Sequence, residues 1–478
     1  MNGFMYRNGR WEEAMDGRRK QVTNPATMEA VGSVPIASRE DVALAVDAAS
    51  EAFPAWSARP AAERSSLLYR AYEELIKSRD EVAEILTLEQ GKPLSESKGE
   101  VQFAAEFLRW YSEEAKRNYG EMIPASVPNK RIMVIHQPIG VVGAITPWNF
   151  PVSMVTRKLA PALAAGCTVV LKPADSTPLS AVLLFQIFDR AGFPPGVANL
   201  VTGRGSVVGA EFMENPKVKK ITFTGSTEVG KTLIRDSAQQ VKKLSLELGG
   251  HAPFIICDDA DLETAVDACL ISKFRNAGQT CICANRIYVH HSIMSSFSEK
   301  LAERTGQLKL GAGLDPDVQI GPLIDEQALE KVDLQVQDAV TKGARIVIGG
   351  KRWKGEGLAG AFYEPTVLSH VDKTMKICSE ETFGPVAPLI VFSTEEEVLQ
   401  QANGIDYGLA AYVFTQDLGR SFRIAEGLEY GVIGVNDAAP SVAQAPFGGW
   451  KESGTGREGG QYGLAAFMEV KYISLGIG

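Results

Sequence analysis

The sequence reads ITFTGSTEVGK from Ile221 to Lys231. The β-branched and aromatic residues before Gly225 predict a strand, and a helix is predicted to begin after it, so the glycine lies in a tight turn. Such a turn aims backbone N–H groups at the space before the helix, where a pyrophosphate can bind. The Gly-x-x-x-x-Gly spacing is neither the three-glycine dinucleotide fingerprint nor a Walker loop, so a purely structural role for the glycines also fits.

Short β-rich runs alternate with helical runs on both sides of this turn. Residues 141–146, 168–172, 197–202 and 219–224 have the composition of strands, and 155–165, 178–191, 207–215 and 227–239 have that of helices. This alternation predicts an α/β fold, with a parallel sheet of the dinucleotide-binding type between two layers of helices. A second series runs from about 253 to 436, so two α/β domains are expected to meet near Gly249-Gly250.

The remaining segments flank these two series. Ser38 and Asp41 have the spacing of a helix-capping pair, and the helix they begin is predicted to reach Trp56. Further helical stretches cover 61–91 and 94–118, and a strand-like stretch with two prolines covers 119–135. Apolar and polar residues alternate through 470–474, which predicts a final strand that can pair with a neighbouring subunit.

Composition and charge exclude several classes of protein. The chain has 45% hydrophobic and 22% charged residues and a formal net charge of -9, which disfavours a surface for nucleic acid. The longest interior apolar run, 159–171, is too short to cross a bilayer, so no membrane segment is expected. The first residues lack an apolar signal core. These features predict a cytoplasmic protein.

Two residues stand in contexts that favour catalysis. Cys281 ends the polar, glycine-containing run FRNAGQTC, which is typical of an exposed nucleophile, although a buried inert thiol also fits. Glu247 lies between two leucines and before two glycines, where desolvation makes a carboxylate a general base, although a surface glutamate also fits. The six cysteines are predicted to be reduced thiols, and Cys281 with Cys283 makes a poor zinc site, so no metal is expected.

A series of motifs follows the order found in the aldehyde dehydrogenase superfamily, which the chain resembles over nearly its whole length. They are EQGKP at 89–93, TPWNFP at 146–151, LKPA at 171–174, the turn at Gly225, LELGG at 246–250, GQTC at 278–281, EETFGP at 380–385 and PFGG at 446–449. The resemblance implies a Rossmann-like NAD(P)-binding domain (1–116 and 139–249), an α/β catalytic domain (250–458) and a small β oligomerisation arm (117–138 and 459–478). A homodimer or homotetramer is then expected.

The resemblance also implies catalytic roles. Cys281 matches the nucleophile that forms a thioester with the aldehyde, and Glu247 matches the general base. Asn149, together with the Cys281 backbone N–H, matches the oxyanion site. Lys158 and Glu458 match positions that line a proton-exit path in the family. A catalytically inactive binding protein and an acylating enzyme that transfers the thioester to coenzyme A are the alternatives, but all three catalytic positions are present and Glu247 favours water as acceptor.

For the cofactor, the matched positions imply one ligand set. Lys172 and Glu381 match ligands of the two riboses, Ser226 a contact of the pyrophosphate, and Phe383 the residue beside the nicotinamide. Trp148 matches another pyrophosphate contact, although it and Phe383 also fit as plain core residues. The full set is Thr146, Trp148, Lys172, Asp175, Gly225, Ser226, Glu381 and Phe383.

The choice between NAD and NADP depends on Asp175. In the family an acidic side chain at this position binds the adenosine-ribose hydroxyls, so a 2′-phosphate would meet like charge. NAD is therefore predicted to be preferred, although the nearby Lys172 is able to neutralise a phosphate.

The substrate prediction rests on Arg157, Arg275 and Ser441. These match positions that hold the distal carboxylate in succinate-semialdehyde dehydrogenases, which the segment 281–283 also resembles. Succinate semialdehyde is therefore predicted, with glutarate semialdehyde, 2-oxoglutarate semialdehyde or a broad aldehyde specificity as alternatives. An internal ion pair is the other explanation for either arginine.

Cys283, two residues after the nucleophile, is predicted to close a reversible disulfide with Cys281 under oxidant; a small buried residue behind the active-site loop is the alternative.

Overall fold

In the computed structural model, which describes residues 1–477, the turn at Gly225 lies in an eight-stranded sheet. In spatial order its strands are Arg10–Glu12, Met5–Arg7, Ala198–Leu200, Thr168–Lys172, Val141–Ile145, Val218–Thr224, Lys243–Glu247 and Gly454–Thr455. The strands from Ala198–Leu200 to Lys243–Glu247 are parallel. The strand Val141–Ile145 is the first of these in the chain, and later strands add on either side of it, which is the topological switch point of a dinucleotide-binding fold.

Helices cover both faces of this sheet, as the alternating pattern predicts. One face packs against Arg39–Ser57, Gly205–Glu214 and Thr227–Ser237. The other packs against Ser153–Ala165 and Leu179–Ala191, with an outer layer of Ala61–Lys77, Arg79–Gln90 and Leu94–Glu114. The predicted capping pair is confirmed, because the Ser38 side chain accepts the Asp41 N–H and the Asp41 carboxylate accepts the Ser38 N–H.

The second alternating series forms a seven-stranded sheet. Its strands are, in spatial order, Arg345–Ile348, Thr366–Ser369, Val386–Phe392, Ala284–His290, Ala252–Ile256, Ala410–Phe414 and Val432–Val435. Its helices are Leu262–Phe274, Met294–Thr305, Glu326–Thr341, Glu395–Asn403 and Leu418–Gly427. The chain passes from one sheet to the other between Glu247 and Ala252. Gly250 is required in this crossing, because a Cβ on it would lie 2.4 Å from the Cys281 carbonyl oxygen.

A separate three-stranded sheet contains the C-terminal tail. After the short helix Gly460–Ala465, the strand Met468–Gly476 pairs antiparallel with Lys130–Pro138, which also pairs with Glu121–Ile123. The predicted final strand is confirmed. The bounds of the three domains stay a prediction, and Gly478, the last residue of the predicted arm, lies outside the described residues.

Some elements differ from the sequence prediction. The stretch 61–91 is two helices rather than one, because Ser78 leaves the helical conformation (φ -94°, ψ 9°) and ends the first. The N-terminal strands were not predicted; besides the two at the sheet edge, Arg19–Thr23 pairs with Ala30–Pro35. Short pieces complete the fold: strands Arg352–Trp353, Phe362–Tyr363, Tyr407–Gly408 and Trp450–Lys451, and 3₁₀ turns Ala115–Arg117, Arg275–Gly278 and Lys376–Cys378.

Among the described residues, no helix is both long enough and apolar enough to cross a membrane. The cytoplasmic location stays a prediction.

Candidate active site

A cavity of about 270 Å³ opens at the switch point of the first sheet. The segments that follow Val141–Ile145 and Val218–Thr224 meet there, at the carboxyl ends of the parallel strands, where open α/β sheets bind ligands. The predicted site residues that line it are Trp148, Asn149, Gly225, Ser226, Glu247, Cys281, Glu381 and Phe383. Most of the residues predicted for cofactor and catalysis are therefore brought to one cavity.

One side of this cavity is suited to an anion. Ser226 is the N-cap of the helix Thr227–Ser237, and its hydroxyl accepts the Val229 N–H at 3.4 Å. The preceding Gly225 donates its N–H to the Glu247 carbonyl at 3.1 Å, which joins the turn to the neighbouring strand. The exposed N–H groups of the first helical turn can bind phosphate oxygens, so the site fits the pyrophosphate of NAD(P).

The lining of the cavity also includes a carboxylate and two aromatic rings. Glu381 accepts the Gly250 N–H at 3.1 Å, and burial raises the pKa of Glu381 to about 7. The rings of Trp148 and Phe383 meet edge to face, with centroids 5.6 Å apart. Phe383 has a left-handed backbone (φ 54°), which is uncommon for a residue other than glycine.

The other predicted cofactor residues are not in the lining of this cavity. Lys172 is buried and donates to the Asp175 carboxylate at 2.6 Å. Thr146 is also buried, and its N–H donates to the Lys172 carbonyl at 3.1 Å. Asp175 lines a different cavity, of about 320 Å³. Lys172 contacts both of the other two residues.

A second cavity, of about 310 Å³, lies on the other side of Cys281. It shares Cys281 and Met154 with the switch-point cavity. The three residues predicted for the substrate all line it, namely Arg157, Arg275 and Ser441. The two predicted binding regions therefore meet at Cys281 and Met154.

The two arginines of this second cavity are held differently. Arg157 is buried, and its Nη2 donates to the Ser441 hydroxyl at 2.9 Å. The Arg157 guanidinium also lies 4.2 Å from the centre of the Phe447 ring, and its Nε is 3.8 Å from a Glu458 carboxylate oxygen. Arg275 lies 5.5 Å from the centre of the Phe150 ring. The contact with Glu458 is thus a long internal ion pair for Arg157, one of the two explanations that the sequence left open.

Burial dominates the electrostatics around Cys281. It raises the pKa of Glu247 to about 7, and the Glu458 charge adds to this effect. Burial also raises the pKa of the Cys281 thiol well above its usual range, and the nearby Glu247 carboxylate raises it further. Among the described residues, neither carboxylate oxygen of Glu247 has a hydrogen-bond partner of normal geometry. Lys158 donates to Glu458 at 2.5 Å.

The turn before Cys281 is strained. Asn276 and Ala277 have left-handed backbones (φ 52° and 54°), which are costly for residues other than glycine. Gly278 (φ 77°) follows, and a Cβ on it would lie 2.2 Å from the Gly384 carbonyl oxygen. Asn149 donates its side-chain N–H to the Gln279 carbonyl at 3.0 Å, so the predicted oxyanion residue is attached to the turn that carries the nucleophile.

The sequence matches the aldehyde dehydrogenase family over residues 11–473. The chain belongs to this family. It is 52% identical to the succinate-semialdehyde dehydrogenase [NADP(+)] of Escherichia coli, covering 98% of this chain and 97% of that protein. It is 51% identical to a glutarate-semialdehyde dehydrogenase of Pseudomonas putida, covering 99% and 97%. A crystal structure of an NADP-dependent E. coli enzyme superposes with a TM-score of 0.98 at 51% identity, covering 100% of this chain and 98% of that one.

Membership confirms the predicted fold and the predicted oxidation of an aldehyde with NAD(P). Several residues of this aldehyde dehydrogenase that the sequence did not single out line the same two cavities, among them Glu96, Met154 and Lys331. Each lies on a helix, and the packing of the helices Leu94–Glu114, Ser153–Ala165 and Glu326–Thr341 brings these side chains to the cavities.

Cys283 does not share a cavity with Cys281. It is buried, and its sulfur accepts a hydrogen bond from the Lys273 ammonium at 3.3 Å. Both cysteines are free thiols. The redox role of Cys283 stays a prediction.

Proposed function

We propose that this aldehyde dehydrogenase oxidises a semialdehyde with a distal carboxylate, and that succinate semialdehyde is its substrate. The proposal rests on the positive charge of Arg275, which lines the cavity beside Cys281. Of the two acidic residues that share its cavity, Glu96 accepts the Asn276 N–H at 2.8 Å and Glu100 pairs with Lys92 at 2.6 Å. Neither is committed to Arg275, so its guanidinium is available to a substrate carboxylate.

The test compares succinate semialdehyde with propionaldehyde, which lacks the carboxylate. A hydrogen bond to a charged group contributes roughly 1.5–3 kcal/mol, so Arg275→Leu should lower kcat/KM for succinate semialdehyde by about 10–100-fold. The same change should alter kcat/KM for propionaldehyde by less than about threefold, because this aldehyde has no carboxylate to accept the hydrogen bond. Arg235→Leu, at an exposed arginine on the helix Thr227–Ser237, is the control. Equal efficiency of the wild type on both aldehydes would exclude the proposal.

A longer semialdehyde is the second candidate. The similarity to a glutarate-semialdehyde dehydrogenase favours it, since that relative is 51% identical to this chain and the succinate-semialdehyde dehydrogenase is 52% identical. An arginine clamp selects for negative charge more strongly than for chain length. Glutarate and 2-oxoglutarate semialdehydes therefore belong in the same series of kcat/KM measurements.

The proposed reaction begins at Cys281. Its thiol proton passes to water, its sulfur attacks the aldehyde carbon, and the side-chain N–H of Asn149 stabilises the oxyanion of the hemithioacetal. When bound, the nicotinamide accepts the hydride that leaves this carbon. Glu247 then takes a proton from water, the hydroxide attacks the thioester, and the C–S bond breaks to release the carboxylate and the Cys281 thiolate. Lys158 and Glu458 are proposed to conduct the proton away.

The proposed preference for NAD over NADP rests on the ion pair between Lys172 and Asp175. At 2.6 Å the two charges compensate each other, so less positive charge remains for a 2′-phosphate, and the Asp175 carboxylate repels it. The proposed contacts of Thr146, Trp148, Ser226, Glu381 and Phe383 with the rest of the cofactor are common to both dinucleotides.

Self-association through the three-stranded sheet is proposed as well. On the strand Met468–Gly476, Val470 and Tyr472 are 70% and 60% exposed. Apolar side chains at this exposure on an outer strand favour burial against a second copy. A homodimer or homotetramer in light scattering is the expected result.

A further inference from the structure

The EQGKP segment at 89–93 has no part in the proposed reaction, yet one of its side chains contacts the backbone of Asn149. Lys92 is buried, and its ammonium donates to the Glu100 carboxylate at 2.6 Å and to the Asn149 carbonyl oxygen at 2.7 Å. It also lies 4.0 Å from the centre of the Phe150 ring. Two of these three contacts, to the Asn149 carbonyl and the Phe150 ring, are to the segment that presents the Asn149 amide to the nucleophile.

Glu100 holds the same segment from its other end. Its second carboxylate oxygen accepts the backbone N–H groups of Val152 and Ser153 at 2.9 and 3.1 Å. These N–H groups begin the helix Ser153–Ala165, so they have no partner within the helix itself. The ion pair therefore connects the start of this helix with the carbonyl of Asn149.

A second set of contacts joins Asn149 to the nucleophile turn. The Asn276 side-chain N–H donates to the Asn149 carbonyl at 3.1 Å and to the Gln279 carbonyl at 3.2 Å. Gln90, from the same five-residue segment as the lysine, donates to the Asn276 side-chain oxygen at 2.9 Å. The Asn149 carbonyl thus accepts hydrogen bonds from the side chains of Lys92 and Asn276. The Asn149 side chain donates to the turn before Cys281.

We propose that Lys92 is a positioning residue for Asn149, and that Glu100 is the counter-ion that makes this possible. The proposal rests on the oxyanion role of Asn149 proposed above. Burying both charges costs desolvation, which is offset because each makes short hydrogen bonds to the other and to backbone groups. An oxyanion donor acts only when it is held close to the productive geometry, so loss of the pair should slow chemistry more than binding.

The experiment removes both charges together, by the double substitution Lys92→Met and Glu100→Gln, so that no uncompensated charge stays buried. We expect kcat to fall about 10–100-fold, while KM for aldehyde and for NAD changes less than about threefold, because an oxyanion donor acts in the transition state. Lys242→Met is the matched control. It removes another buried lysine that donates to two backbone carbonyls, those of Asn215 and Val218, and it should leave kcat unchanged.

The deciding measurement repeats the pair substitution in an Asn149→Ala background. If the pair acts through Asn149, the two changes are not additive, and the residual kcat stays within about twofold of Asn149→Ala alone. A kcat reduced by the product of the two separate factors would overturn the proposal. If Asn149→Ala itself keeps wild-type kcat, the oxyanion role is wrong. Should the pair variant fail to fold, Lys92→Leu with Glu100→Gln, which likewise leaves no uncompensated buried charge and keeps an acceptor for the helix start, goes through the same cycle with the same criterion.

Discussion

The pH dependence of thioester hydrolysis tests the environment of Glu247 directly. Burial raises the pKa of this carboxyl from 4.5 to about 7. A group with that pKa is about 9% ionised at pH 6 and about 91% at pH 8, so hydrolysis should accelerate about tenfold over this range if the ionised form is the base. At the ordinary pKa the group would be about 97% ionised already at pH 6, and the rate would hardly change.

The assay separates the two halves of the reaction. Rapid mixing with excess aldehyde and NAD(P) records a burst of reduced cofactor from acylation, and the linear phase that follows reports hydrolysis wherever hydrolysis limits turnover. Glu247→Gln should keep the burst, slow the linear phase about 10²–10⁴-fold, and abolish its rise with pH. Glu84→Gln, at an exposed glutamate of the helix Arg79–Gln90, should keep the wild-type profile.

The raised pKa of Glu247 also predicts that the folded protein becomes less stable as pH rises. Because the folded-state pKa of Glu247 lies above its unfolded value, the folded protein binds this proton more tightly, and the stability that the protonated form contributes is lost as pH rises through about 7. The Glu247→Gln variant should lack this loss. A linear phase in the wild type that is equally fast at pH 6 and pH 8, with hydrolysis limiting, would refute the assignment of Glu247 as a buried base.

Two further predictions concern the cofactor and the second cysteine. Asp175→Ala should raise kcat/KM for NADP relative to NAD by roughly tenfold, because removing the carboxylate leaves Lys172 free to pair with the 2′-phosphate; an unchanged ratio would contradict this role. Mild peroxide should inactivate the wild type reversibly, with a two-hydrogen mass decrease in the peptide that contains Cys281 and Cys283, whereas Cys283→Ala should recover less activity on reduction with dithiothreitol. Loss of activity without that mass change would show that no such disulfide forms.

Local sequence patterns were sufficient for the layered architecture. Alternating β and helical runs predicted the parallel strands and the helices on both faces, and the Ser38 and Asp41 pair marked a helix start that the structure confirms. These predictions succeed because side-chain periodicity and capping depend on neighbours within a few residues. The N-terminal strand Met5–Arg7 was not predicted, because three residues are too few to show a periodic pattern; it pairs with Arg10–Glu12 and joins the sheet only where Tyr6 pairs with Leu200.

The sequence by itself also determined which residue types are present for the reaction, through motifs that resemble one family. Only the tertiary structure decided how they are arranged: Glu247 ends a strand of one sheet, Cys281 precedes a strand of the other, and both line one cavity. The pKa of Glu247 and the contacts of Lys92 with Glu100 likewise depend on which side chains exclude water from the site. Desolvation and charge pairing are set by atoms that converge from distant segments, and no local pattern encodes that convergence.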